Sequence, residues 1–91
     1  MSWIVQNYED INGIPCDTTK RAFKTYADAK MRQVAIAIMC FEEEFPNLTR
    51  VGNLFELRRF LRIHTTNDVF AFRSEDGHTY RVEVYEEMGH S

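Results

Sequence analysis

The side chains best equipped for chemistry are three histidines, two cysteines, a run of three glutamates and a group of arginines, and their spacing decides what each can do. His64, His78 and His90 include no pair at the i, i+4 separation that puts two imidazoles on one helical face, and neither cysteine belongs to a CxxC or Cys/His cluster. No metal or other cofactor is therefore expected. His64 reads instead as a helix C-terminal residue favoured by the macrodipole, His78 as a turn-flanking residue and His90 as part of a frayed tail. Cys40 lies inside an apolar run, where desolvation raises a thiol's pKa and suppresses the reactive thiolate; Cys16 falls in a loop. Ser74 and the threonines Thr18, Thr19, Thr65 and Thr66 lack the context of a nucleophile elbow. Glu42, Glu43 and Glu44 are neighbours at a helix end and point in different directions, so they do not form the opposed carboxylate pair of a hydrolase. No nucleophile, base and orienting group assemble, and the chain is not expected to be an enzyme.

Binding chemistry is better represented. Arg58 and Arg62 lie one helical turn apart, with Arg59 beside them and Arg50 upstream, and their forked guanidinium groups suit phosphates or the carboxylates of an acidic partner. The same residues also read as a solvated face whose stems cover apolar surface and whose charges complement a helix C-terminus. Glu42, Glu43 and Glu44 are the reverse case: three carboxylates in a last helical turn oppose the macrodipole and repel one another, at about 0.3 kcal/mol each. So unfavourable a local choice points to a basic counterpart. It is either in the chain, at Lys20, Arg21, Lys24 or Arg58, Arg59 and Arg62, or on a partner. With Glu83, Glu86 and Glu87 the run also outlines an acidic face.

At 91 residues, with 44% hydrophobic and 27% charged, the chain suits one folded domain, residues 1–91, around one core, with a frayed tail from about 87 to 91. Fourteen acids against eleven bases give a net charge of -3, and the pI is about 5.5, which disfavours the broad basic footprint of a general nucleic-acid binder. The longest apolar run, Val34 to Phe41, is eight residues, against the roughly 18 needed to cross a bilayer. No secretion signal opens the chain and the two cysteines form no disulfide scaffold, so a soluble protein in the reducing cytoplasm is expected.

The elements that must position these groups follow from periodicity. Trp3 to Tyr8 reads as a first strand, Asp10 to Asp17 as a connection holding the Asn12-Gly13 turn pair and Pro15, and Thr19 to Lys24 as a charged edge strand. Thr25 with Asp28 approximates a capping box for a helix from Ala27 to Phe45, stopped by Pro46. Its regular stripe is Met31, Val34, Ala35, Ile38, Phe41 and Phe45, while Ile36 and Met39 lie off it. Because the helix is apolar nearly all round, it must be covered on more than one side. A second helix is expected from an Asn53 cap, answered by Glu56, to His64, with Leu54, Leu57, Leu61, Phe60 and His64 inward and Arg58, Arg59 and Arg62 outward. Asp68 to Arg73 and His78 to Glu86 make a hairpin. A three-residue loop closed by Gly77 sets Phe72 opposite Tyr80 and Phe70 opposite Val82, which keeps apolar residues on one face. If one sheet face is open, Trp3 or Ile4, Tyr8, Val69 and Tyr85 lie there as an aromatic surface. The order β-β-α-α-β-β predicts an α+β fold: a four-stranded, mainly antiparallel sheet with two helices on one face.

The Trp-led opening and the run Lys20-Arg21-Ala22-Phe23-Lys24-Thr25-Tyr26-Ala27-Asp28-Ala29, leading into a helix, resemble the layout of many small phage and mobile-element proteins. That resemblance transfers no functional residue. Two readings stand. In the first, the chain is a non-enzymatic protein-binding module, a homodimer among its arrangements, acting as an accessory or inhibitor that occupies a surface of a larger host protein such as a defence component. Ile36, Met39, Glu42, Glu43, Glu44 and Tyr85 are its candidate contacts. In the second, Arg50, Arg58, Arg59 and Arg62 bind the phosphates of a nucleic acid or an acidic partner.

Overall fold

Turn chemistry, more than strand propensity, sets where the elements begin. The computed structural model describes residues 2–50 and 54–88 and contains β1 (Ser2–Ile11), β2 (Ile14–Phe23), α1 (Tyr26–Glu44), α2 (Pro46–Arg50), α3 (Leu54–His64), β3 (Thr65–Thr66), β4 (Val69–Arg73) and β5 (His78–Glu87). The strands form one antiparallel sheet in the order β2-β1-β5-β4-β3. The α+β class stands, with five strands and three helices in place of the expected four and two.

Each added element has a local cause. Asn12 and Gly13 hold φ +53° and +83°, so a two-residue turn sets Ile11 directly opposite Ile14, and the expected connection over residues 10–17 is strand instead. Pro15 is tolerated because β2 is an edge strand, and the pairing slips beside it. Asp10 pairs with Pro15 and Glu9 with Asp17, leaving Cys16 as the extra residue of a bulge. Pro46 does end α1, but its fixed φ also suits the first position of α2. Asn67 and Asp68, at φ +50° and +64°, fold Thr65 and Thr66 back onto β4. Glu87, expected in a frayed tail, still pairs with Ser2, and its carboxylate lies 3.0 Å from Lys20 Nζ. The proposed Asn53 cap and His90 lie outside the described residues.

Other expectations hold as drawn. The Thr25 side chain accepts a hydrogen bond from the Asp28 amide at 3.1 Å. Phe72 pairs with Tyr80 and Phe70 with Val82, and Ser74 N–H closes the loop on the His78 carbonyl at 2.8 Å.

The core lies between the sheet and helices α1 and α3, both on one face. From the sheet come Val5, Phe70, Tyr80, Val82 and Val84, and from the helices Ala29, Ala37, Cys40, Phe41 and Phe60. The orientation of α1 departs from the expected stripe. Its inner face is Ala29, Gln33, Ala37, Cys40 and Phe41, with Ile36 half-buried against the core, whereas Met31, Val34 and Ala35 are exposed. The sheet already supplies bulky side chains, so small residues let the helix approach. The Phe41 and Phe45 rings reach α3's Phe60 at 5.1 and 5.8 Å, and Phe60 in turn meets Phe70 and Phe72 at 5.7 and 5.1 Å.

Gln33, 1% exposed, is admitted because every polar atom is satisfied. Its Nε2 donates to the carbonyls of Asp68 (2.8 Å) and Val82 (2.9 Å), and Oε1 accepts from Lys30 Nζ (2.7 Å). Lys30 also pairs with the Asp68 carboxylate at 3.0 Å, and Tyr26 donates to it at 2.5 Å. Those two hydrogen bonds, Tyr26's first, hold the Asp68 carboxyl below its ordinary pKa.

Candidate functional site

Turning small residues inward leaves α1 with an apolar outer face. Met31 is 71% exposed and Met39 61%, with exposed Val34 and Ala35 and half-buried Ile38 between them. On α3, Leu54, Phe55 and Ile63 are also exposed, Phe55 at 72%. Where the two helices meet, a groove of about 330 Å³ has Val34, Ala37 and Leu61 for its apolar lining and the stems of Arg58 and Arg62 along it. An apolar floor beside guanidinium groups suits a partner that inserts an aliphatic or aromatic side chain and offers carboxylates beside it.

The charged candidates separate. Glu42 and Glu43 are exposed at the end of α1, but Glu44 turns inward and accepts a hydrogen bond from Tyr80 Oη at 2.8 Å. Among the described residues, no ion pair joins Glu42, Glu43 or Glu44 to Lys20, Arg21, Lys24 or the α3 arginines. Arg58, Arg59 and Arg62 are exposed, as drawn from the sequence, while Arg50 ends α2. Ile36 is not on the outer face; it lines a small groove between α1 and β1–β2 beside Val5, Arg21 and Arg32.

Tyr85 lies on the other side of the molecule. Alternation along β5 puts Tyr80, Val82 and Val84 toward the helices and Arg81, Glu83 and Tyr85 toward the open face, where Tyr85 Oη donates to Gln6 Oε1 at 2.9 Å. Ile4, Tyr8 and Val69 share that face, as expected, whereas Trp3 points to the helix side and meets Tyr26 edge-on at 5.0 Å. A groove of about 550 Å³ is lined by Tyr8, Glu9, Asp10, Pro15, Thr18, Thr79, Arg81 and Glu83.

A second constellation, not foreseen from the sequence, lies at the end of the sheet where the β1–β2 turn meets the β4–β5 loop. Glu9 Oε1 is 2.6 Å from His78 Nε2, His78 Nδ1 is 3.1 Å from Tyr80 Oη, and Tyr80 donates to Glu44. The bulge brings in Cys16, whose Sγ donates to the Glu9 carbonyl at 3.4 Å; a carboxylate oxygen of Glu9, Cys16 Sγ and a ring nitrogen of His78 all lie within 4.8 Å of one another. Burial, then the Glu44 hydrogen bond, pushes the Tyr80 hydroxyl well above its ordinary pKa. Desolvation, then the charges of Glu9, Asp10 and Asp17, raises the Cys16 thiol. The three ligand-type residues sit on three strands, so no linear spacing pattern could reveal them. The only signal was indirect: Asn12-Gly13 read as a tight turn with Pro15 at an edge would have forced a slipped register near Cys16. Cys40, by contrast, is buried as expected, its thiol pushed up to about 12 by burial and then by Glu44 and Glu43. Comparison with protein families, curated proteins and solved structures gives no match to this chain.

Proposed function

We propose that the protein is a non-enzymatic binding module that docks the outer face of α1 and the α1–α3 groove onto a larger protein, in the manner of an accessory or inhibitor protein. The observation that carries this reading is the orientation of α1, which turns small residues and Gln33 inward and leaves Met31, Val34, Ala35 and Met39 exposed. Exposed aliphatic side chains grouped on one helix are unusual unless something covers them. Met39 keeps its place in the contact set, Met31 and Val34 join it, and Glu42 and Glu43 form its acidic end. Ile36, Glu44 and Tyr85 have other duties. Self-association through the same face is one form such docking takes.

The test uses Met31→Glu/Met39→Glu, two exposed positions at which a charge displaces no core packing. The reading expects a protein partner recovered by the tagged wild type, or a dimer seen by sedimentation, to be lost from the variant while its thermal unfolding is retained. A folded variant with unchanged association would sink it.

A second reading is favoured by one observation: the exposed Arg58, Arg59 and Arg62 make no ion pair among the described residues. They are free to meet phosphates. Binding of labelled DNA or RNA that steepens at low salt and is lost on changing all three to alanine would support a nucleic-acid role; binding indifferent to that change would remove it.

A further inference from the structure

We propose that Glu9, Cys16 and His78 form a binding site for a divalent transition-metal ion of the zinc type, with Tyr80 and Glu44 as the outer shell that orients the imidazole. The donor set is one thiolate, one imidazole and one carboxylate. That mixture of soft and borderline donors suits zinc or cobalt, whereas magnesium and calcium take oxygen ligands.

The backbone holds the three residues in place independently of any metal. The β1–β5 ladder pairs Ile11 with His78 and Glu9 with Tyr80, so Glu9 and His78 share the helix-side face. The Asn12 amide donates to the Gly77 carbonyl at 3.0 Å, tying the two turns together, and the His78 amide donates to Ser74 Oγ at 3.0 Å within the β4–β5 loop. By strict alternation, Cys16 would point away from its neighbour Asp17, which pairs with Glu9. The bulge removes that constraint, in the way bulges re-aim side chains near functional sites.

The hydrogen bonds then select the nitrogen. Tyr80 has one hydroxyl proton and gives it to Glu44, so its oxygen can only accept from His78 Nδ1–H. Nε2 is left as the nitrogen facing Glu9 and Cys16. A histidine that donates one ring N–H to a hydrogen-bonded partner and presents the other nitrogen to a ligand cluster has the outer-shell geometry of metal sites. Metal–ligand bonds of about 2.0–2.3 Å require ligand atoms roughly 3.3–3.8 Å apart in a tetrahedron. The present cluster, within 4.8 Å throughout and with Glu9 2.6 Å from Nε2, reaches that by shifts of the exposed Cys16 side chain and the half-buried Glu9 carboxylate. Metal binding needs Nε2 bare and Sγ deprotonated, so it is coupled to proton release. Cys16 is exposed, so water completes the coordination.

The test titrates reduced full-length protein with Co2+, whose spectrum reports its ligands. The expected result is saturation at one equivalent, with thiolate-to-cobalt charge-transfer absorption and intense tetrahedral visible bands, both removed by competing Zn2+. Cys16→Ser, at an exposed position, should abolish the charge-transfer band while its thermal unfolding in chelator matches wild type. His78→Gln and Glu9→Gln should each weaken binding at least about tenfold. Tyr80→Phe should keep the band but weaken affinity by about 10- to 100-fold, the effect of an outer-shell partner. No charge-transfer band at one equivalent in wild type, or a band that persists in Cys16→Ser, would overturn the site. Unchanged affinity in Tyr80→Phe would overturn the orienting role.

Discussion

Replacing Gln33 by methionine tests why α1 faces the way it does. Methionine is unbranched and of similar length, so it fills the same space and removes only the polar contacts. Those are the two hydrogen bonds from Nε2 to the Asp68 and Val82 carbonyls and the one that Oε1 accepts from Lys30. Lys30 keeps its Asp68 ion pair, and the Asp68 carbonyl keeps the Val84 amide at 3.0 Å, so the loss falls on the two Nε2 bonds, one buried and one part-buried, and on the helix side of the Val82 carbonyl. At about 1 kcal/mol per bond and about 1 kcal/mol for a carbonyl left short of a partner, less about 1 kcal/mol for the more apolar side chain, the net cost is about 2 kcal/mol. For a domain of this size, that lowers Tm by about 8–16 °C. Urea unfolding should show a lower midpoint at an unchanged m value. Gln33→Glu sets a carboxylate against two carbonyl oxygens and should fall below Gln33→Met. If the methionine variant were as stable as wild type at the same m value, the buried amide would not be what holds α1 in this orientation, and the account of its exposed apolar face would fail with it.

Three further outcomes are expected. In reduced protein with chelator, a thiol-disulfide reagent should modify one thiol, exposed Cys16, and reach buried Cys40 only as the chain unfolds; two native-state thiols would contradict the packing. Gly77→Ala forces an L-residue to φ +88° and drives Cβ against the Asn12 side chain, so it should cost about 1–2 kcal/mol, read from the urea midpoint; a neutral result would mean that the two turns are not pressed together as described. Burial against Phe60 (4.7 Å) and Phe72 (5.0 Å) lowers the His64 pKa below its ordinary 6.5, so the unfolded chain takes up the proton first. Its contribution is full above 6.5 and declines as pH falls from there toward the lowered folded value, and His64→Leu should flatten the stability profile over that window. An unchanged profile would show that His64 is not the group responsible.

Where a local rule operates, the sequence was legible. The Thr25 cap, the end of α1 at Pro46, the Phe70–Val82 and Phe72–Tyr80 register and the exposed α3 arginines all follow from residues within a turn or a hairpin of one another. The connection expected between β1 and β2 is a tight hairpin because an edge strand accepts Pro15 and Asn12-Gly13 closes a two-residue turn. The turn at Asn67-Asp68, with consecutive left-handed residues, contains no glycine to mark it in the sequence.

The sequence by itself determined the class of the fold, the cap and the stop of α1, the register of the last hairpin and the burial of Cys40, because each rests on short-range sterics or on composition. Only the tertiary structure decided which face of α1 is buried. A helix apolar nearly all round has no unique inner face by periodicity, and the choice went to the side whose small residues fit against Val82 and Val84 and whose one amide could be satisfied by the sheet. It alone also brought Glu9, Cys16 and His78 together, since strand pairing and a one-residue bulge create that proximity across 69 residues of chain between Glu9 and His78.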